Sequence, residues 1–417
     1  MNFRLQKLIQ SLKRLPRKQV VALSVVSVFA LTGLALLALS QAATSSVSIE
    51  AENGSLGGNA AIATLNGASG GSGVKFGTTP TNPGGGGNRP TLVNRQILNG
   101  PTGAPIKMVG VTVWGNEDHI TTSFGAAQYA DRAKVVQTIK AWGGNHIRFR
   151  MVASDYDKEA YMSKATYIQQ IKEWRDLTVA AGMYFMPIWW DGLDGDYAKG
   201  NWASQYNKAF PMMNDVVAAL GNDPMVIYEP FNEPTDAPSP EQWYTAMEDT
   251  ITHFRNNIGY TGILVIDGRS WSHYYDDGQF TNLENLDAGL NGMGGKHQLV
   301  FAKHDYANEG WADPDNGFDN GHWPESSGGG GTWDFSKHAV WETEFGNYNG
   351  DPSTVHLGWS KGACEWFAAK LNDGTLVGAS AFVWGPWFDG NAITEADNTT
   401  PTEWGTYVRD DLFGGVN

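Results

Sequence analysis

From about residue 90 onward the chain predicts a (β/α)8 barrel, and three observations predict it. Eight short apolar runs recur, segments with helical spacing lie between most of them, and several of the runs end in polar residues. The runs, in order, are "IKMVGVTVW", "HIRFRMV", "MYFMPIWW", "MVIYEPFN", "GILVIDG", "LVFAKHDY", "AVWETEFG" and "VGASAFVWG". Runs this short and rich in β-branched and aromatic residues read as strands buried on both faces. Between them, "AAQYADRAKVVQTIKAWG", "ATYIQQIKEWRDLTVAAG" and "SPEQWYTAMEDTITHFRNNIG" carry helical spacing, and each closes on glycine, the residue best suited to a left-handed helix end. Strand and helix alternating over roughly 320 residues suit a parallel barrel. A doubly wound sheet is the alternative, but no Gly-rich dinucleotide or phosphate loop follows the first run.

Composition narrows the class of function. The 417 residues are 41% hydrophobic and 18% charged, enough apolar material for a large core. Seventeen tryptophans serve either a large core or, for several of them, a cleft lined against flat apolar ligand faces. The net charge is -15, and the first 43 residues hold six basic residues and no acid, which leaves -21 for the remainder. So acidic a body repels nucleic acid and suits a neutral ligand. The single cysteine, Cys364, excludes an internal disulfide and a Cys-rich metal site, and its setting reads as a buried helix position. No zinc-like histidine spacing occurs, so no metal or cofactor is expected.

Three segments precede the barrel. Residues 1–43 read as a signal peptide or N-terminal membrane anchor: a basic stretch precedes the uncharged run Val20–Ser40, which is near the length of a membrane span, and "SQAAT" offers small residues for cleavage. Export, to the cell surface or beyond, is the expectation, with a possible tether through residues 20–40. Residues 44–78 resemble the opening and a later strand of a β-sandwich carbohydrate-binding module with the middle missing, too short for a core of their own. Residues 79–89 are a Pro/Gly linker, and 90–417 the catalytic domain.

Barrel enzymes carry their chemistry at the C-terminal ends of strands. On the fourth run strict alternation puts Ile227, Glu229, Phe231 and Glu233 on one face, with Glu229 deep and Glu233 at the rim. A carboxylate inside a barrel needs a partner, and Arg148 on the second run is the candidate. On the seventh run the same alternation sets Glu342 deep and Glu344 at the exit. Strands four and seven face each other across a ring of eight, so Glu233 and Glu344 form a facing pair. Such a pair is the equipment of glycoside hydrolysis. The acid needs a raised pKa and the nucleophile a lowered one, and Arg148 and Tyr306 would favour the ionised form of Glu344.

With "NEP" at Asn232–Pro234, "EFG" at Glu344–Gly346, "HIR" at His146–Arg148 and "HDY" at His304–Tyr306, residues 95 to 410 resemble glycoside hydrolase family 5. The resemblance implies Glu233 as acid/base and Glu344 as nucleophile of a retaining enzyme. It implies that Asn232 bonds the sugar 2-hydroxyl, Tyr306 holds Glu344, Arg148 supports the carboxylates and His304 lines the cleft near the leaving group. It implies Trp384 as the platform beneath the sugar. The sequence departs from the family in two places. Trp190 stands where the third strand usually ends in histidine, and Gly110 is followed by Val111 and Thr112 where Gly-x-Asn is usual. Both lie on the non-reducing side, which leaves the substrate open.

The expected function is an exported retaining endo-β-1,4-glycanase, cellulase-like, acting as a monomer on a polysaccharide. β-Mannan is the main alternative substrate, then xylan or xyloglucan. A non-catalytic glycan-binding surface protein is the reading from another class. Trp271, after the fifth run, is a further sugar-binding candidate, as are Trp311, Trp323 and Trp333 beside the long loop after the sixth. That loop has spaced aspartates, but their spacing does not fit the helix–loop calcium pattern, and a wall of the cleft is the preferred reading.

Overall fold

A computed structural model describes residues 60–64, 72–76, 89–114, 131–159, 162–190, 206–221, 223–234, 239–273, 276–306, 334–347, 357–386 and 390–416. The chain divides into two units, Met1–Thr81 and Asn82–Asn417. In the first, strands Ala60–Thr64 and Ser72–Phe76 pair antiparallel. The expected anchor at 1–43, the loop 311–323 and Trp333 lie outside the described residues. Among the described residues no helix is long and apolar enough to cross a membrane.

The second unit is built on a curled parallel sheet. Its strands are one (Met108–Val113), two (His146–Met151), three (Tyr184–Trp189), five (Leu264–Asp267), six (Leu299–Tyr306), seven (Val340–Gly346) and eight (Gly378–Trp384). Their order is three-two-one-eight-seven-six-five. The fourth position is filled by residues 226–229, which bridge both edges: Val226 and Glu229 pair with strand three, and Tyr228 pairs with Leu264 of strand five. The ring closes through these bridges and a backbone hydrogen bond from the Asn232 N–H to the Trp189 carbonyl at 2.9 Å. Proline explains why: Pro230 has no N–H to give a ladder, so the fourth run bonds only in part.

The core has two layers. Outside the ring, helices bury apolar faces on the outward strand residues, with Trp174, Trp243, Phe254, Trp359 and Phe367 among the largest contributors. Cys364 lies buried there on the helix Leu357–Asp373. Inside, Met108, Met186, Ile227, Val265, Val300 and Trp341 fill the lower barrel. Two glycines admit this filling. A Cβ on Gly378 would come within 2.4 Å of the Trp341 ring, and one on Gly110 within 2.2 Å of the His146 carbonyl oxygen. The hairpin Pro90–Val93/Gln96–Asn99 plugs the lower end with Leu92 and Ile97. Gln298 fixes the plug, accepting from the Leu92 N–H at 2.8 Å and donating to its carbonyl at 3.1 Å.

The helices begin where the sequence offers caps. Asp131, Ser163, Ser239 and Asp276 each accept a hydrogen bond from the backbone N–H three residues on. Gly143 closes its helix in the left-handed region at φ 110°. These capped helices return the chain from each strand end to the next strand start, and so keep all strand exits at one end.

One surface pin makes a pH-dependent contribution. His338, at the entry to strand seven, is buried against Phe280 and Phe301. Its Nδ1 meets Glu284 at 2.9 Å and its Nε2 meets Asp277 at 3.1 Å. Burial lowers its pKa, but Glu284 and then Asp277 outweigh burial and hold it above its ordinary value of 6.5. Because the folded value is the higher, the contribution is complete below about 6.5 and fades as pH rises through the folded value. It is expected to be about 1 kcal/mol, since Asp277 is open to solvent. The Tm advantage of wild type over His338→Gln, followed by thermal scans, is expected to shrink as pH rises above about 6.5.

Candidate active site

Alternation along strand two turns His146, Arg148 and Arg150 into the barrel. His146 sits lowest, its Nε2 2.7 Å from Ser380 Oγ, and burial lowers its pKa to about 3, so it is neutral. Above it Arg148 is wholly buried and engages four side chains. Nε donates to Glu229 Oε2 at 2.8 Å and Nη2 to Glu229 Oε1 at 2.7 Å, a bidentate pair. Nη2 also donates to Asn232 Oδ1 at 2.6 Å, and Nη1 donates to Glu344 Oε2 at 2.6 Å and to Thr112 Oγ1 at 3.3 Å. Burial works against the charge of Arg148, yet Glu229, then Glu344, hold it firmly protonated. Glu229 thus has the partner its depth requires.

Glu233 stands at the rim with its side chain 18% exposed. Its backbone is left-handed, φ 48°, and its N–H donates to Asp267 Oδ1 at 3.1 Å. Its Oε1 lies 2.7 Å from His304 Nδ1, and His304 Nε2 lies 2.9 Å from Thr343 Oγ1. Burial lowers His304 to about 3, so the contact with Glu233 is a hydrogen bond of a neutral ring. Across the mouth, the Tyr306 hydroxyl donates to Glu344 Oε1. A carboxyl oxygen of Glu233, a carboxyl oxygen of Glu344 and a nitrogen of His304 all lie within 4.8 Å of one another.

Three expectations are corrected. Glu342 and Glu344 do not share a face, because strand seven carries a register shift between them. The extra residue lets both Thr343 and Glu344 reach the interior, while Glu342, between the inward Trp341 and Thr343, keeps register with Lys303 on the other face. The pKa of Glu344 is raised rather than lowered. Burial is the largest cause and the charge of Glu233 adds to it, with Arg148 and Tyr306 opposing. Trp384 is not at the mouth. Strand eight shifts register between Ala381 and Trp384, and the indole turns outward into the helix layer, 4.8 Å from the Trp142 ring.

The aromatic residue that strand eight does present inward is Phe382, beside Tyr306 and stacked on Trp190 at 6.3 Å and 16°. Trp189 points outward against Tyr228 and Phe254. Trp114 completes the cluster, and the Arg150 guanidinium lies 4.1 Å from its ring centre and 5.1 Å from that of Trp190. Trp271, at the exit of strand five, is 46% exposed. Sequence reasoning missed Phe382, Trp114, Arg150, Asp267 and Thr343. Alternation outward from Ser380 was the available signal for Phe382; nothing local marked Asp267.

Among the described residues two sets of atoms are close enough to meet a cation, Glu229/Asp267/His304 and Glu233/His304/Glu344. In the first, both Glu229 oxygens are already bound to Arg148, whose guanidinium supplies the positive charge a metal would bring. The residues fit proton transfer and carboxylate attack better than ligation.

The family model for cellulases, glycosyl hydrolase family 5, matches residues 101–375. No curated protein matches the chain by sequence. Among solved structures the fold is similar to a β-glucanase from Saccharophagus degradans at 17% identity and TM-score 0.56, covering 77% of this chain and 91% of that one. It is also similar to a thermostable, halotolerant cellulase from an Icelandic hot spring isolate (17%, 0.54, 79% and 96%) and to a β-mannanase from Streptomyces thermolilacinus (17%, 0.52, 79% and 95%).

Removing the guanidinium would strand two buried carboxylates. Arg148→Ala is expected to lose about 3–5 kcal/mol of stability, read as a lower urea midpoint at unchanged slope.

Proposed function

Since this chain belongs to glycosyl hydrolase family 5, we propose that it is an exported, retaining endo-β-1,4-glycanase with a cellulase-like preference. The observation that carries the mechanism is the approach of the Glu233 and Glu344 carboxyl oxygens to within 4.8 Å. Retaining enzymes hold their carboxyl groups about 5–5.5 Å apart, whereas inverting enzymes need about 6.5–9.5 Å to admit a water.

Glu344 attacks the anomeric carbon while Glu233 gives its proton to the departing oxygen, which takes the electrons of the broken glycosidic bond. Arg148 and Tyr306 aim the attacking carboxylate, as their hydrogen bonds occupy one oxygen each. Once Glu344 is glycosylated its negative charge is gone, and Glu233 takes a proton from the incoming water. The water oxygen attacks the anomeric carbon, and Glu344 leaves as the carboxylate. Asn232 serves the sugar 2-hydroxyl, and Trp190 and Phe382 offer flat faces on the mouth.

β-1,4-Glucan is favoured because the matching family is named for cellulases and two of the similar folds act on glucans; β-mannan is the alternative, from the mannanase fold. Export rests on the basic, then apolar, stretch of residues 1–43.

The test is reducing-sugar release from soluble cellulose derivative, mannan, xylan and mixed-linkage glucan. The expected result is release from the glucans, a β-anomer as first product by proton NMR, and loss of about 10⁴-fold or more in Glu344→Ala. A folded wild type that binds glycan and releases nothing would establish the glycan-binding reading instead.

The state of Glu344 sets the acid side of the pH profile. It must be ionised to attack and its pKa is raised by burial, so kcat/KM is expected to fall on the acid side above the ordinary carboxyl value of about 4.3. The Tyr306 hydrogen bond favours the carboxylate. Tyr306→Phe is therefore expected to move that limb to higher pH, measured as kcat/KM against pH.

A further inference from the structure

We propose that Asp267 is a positioning residue for the acid/base chemistry of Glu233, holding its main chain and the turn beside it in place. The inference rests on the glycosidase reading and extends it to a residue 34 positions away from the acid.

Asp267 ends strand five and is buried. Its Oδ1 accepts from the Glu233 N–H at 3.1 Å and from Ser272 Oγ at 2.7 Å. Its carbonyl accepts from Trp243 Nε1 at 3.1 Å, which ties the strand end to a helix. Three non-glycine residues near it are left-handed: Glu233 at φ 48°, Trp271 at 55° and Ser272 at 61°. L residues enter that region only where surrounding contacts hold them. Two of the three are bonded directly to Asp267 Oδ1, and the third, the exposed Trp271, is neighbour to one of them. One oxygen therefore secures both the acid and the loop turn beside it.

The charge state follows from the surroundings. A Glu229 oxygen, an Asp267 oxygen and a His304 nitrogen lie within 4.8 Å of one another. Burial first, then the charge of Glu229, push the Asp267 pKa well above the ordinary range. Oδ1 takes both hydrogen bonds, so the proton belongs on Oδ2. Neutrality matters to the acid. A charged Asp267, 3.6 Å from His304 Nε2, would draw a proton onto that ring. An imidazolium 2.7 Å from Glu233 would then hold Glu233 ionised and unable to protonate a leaving group.

The test compares two aryl β-cellobiosides on the full-length protein. Phenolate is a poor leaving group and needs the acid; 2,4-dinitrophenolate departs without one. Asp267→Ala is expected to lower kcat/KM for the phenyl substrate by about 10- to 100-fold and for the dinitrophenyl substrate by less than about 3-fold. Asp267→Asn keeps the accepting oxygen and is uncharged, so it should stay within about 3-fold of wild type on both. Ser272→Ala removes one of the two hydrogen bonds and should show the same split at smaller amplitude; it carries the test if Asp267→Ala does not fold. Equal losses on both substrates, no split in Ser272→Ala where it alone folds, or an Asn variant as impaired as the Ala variant would overturn the assignment while leaving the glycosidase reading intact. A wild type that cleaves neither these cellobiosides nor the matching aryl β-mannobiosides would overturn both.

Discussion

One buried guanidinium holds this site together. Arg148 lies inside a barrel lined by carboxyl groups, and three of its nitrogens are shared among Glu229, Asn232, Glu344 and Thr112. A charge so placed is tolerable only when its partners are close and well oriented. The partners come from strands one, four and seven, so the same contacts that neutralise Arg148 also fix the distance between the two sides of the mouth. Stability and site geometry are thus one interaction here, with Glu229 serving the first and Glu344 the second.

The barrel interior grades from apolar to polar along its axis. Met108, Ile227 and Trp341 fill the lower end, the neutral His146–Ser380 contact lies above them, then Arg148, then the rim carboxyls. Charge is placed where water can still reach the rim and is kept from the closed end. Both interior histidines are uncharged: burial lowers the pKa of each, and the nearby Arg148 charge lowers it further. Arg148 is the cation bonded directly to Glu229 and Glu344, and burial raises the pKa of two of the acids around it, Asp267 and Glu344. That crowding lets a carboxyl oxygen of Glu233 and one of Glu344 stand within 4.8 Å of each other.

Two strand irregularities decide what faces the mouth. In strand seven the shift between Glu342 and Glu344 brings Thr343 to His304 and Glu344 to Arg148 and Tyr306. In strand eight the shift between Ala381 and Trp384 gives the mouth Phe382 and sends Trp384 to Trp142. A single added residue reverses the face of everything beyond it, so the identity of the aromatic at the mouth depends on backbone register more than on composition.

The sequence by itself determined the alternation of strands and helices, the helix caps, the depth of Glu229 with its arginine partner, and the grouping of polar residues at strand exits. Each of these is a local property: a period, a cap residue, or a charge in an apolar run that must be neutralised. The motif around Glu233 and that around Glu344 were legible for the same reason, since each lies within a few consecutive residues. Only the tertiary structure decided which face Glu342 and Trp384 take, that burial raises Glu344, and that Asp267 lies under Glu233. Alternation fails wherever a bulge interrupts it, and burial is a sum over neighbours distant in the chain. Asp267 in "VIDG" looks like any strand-ending aspartate; its meaning comes from a main-chain N–H on the neighbouring strand, which no local pattern encodes.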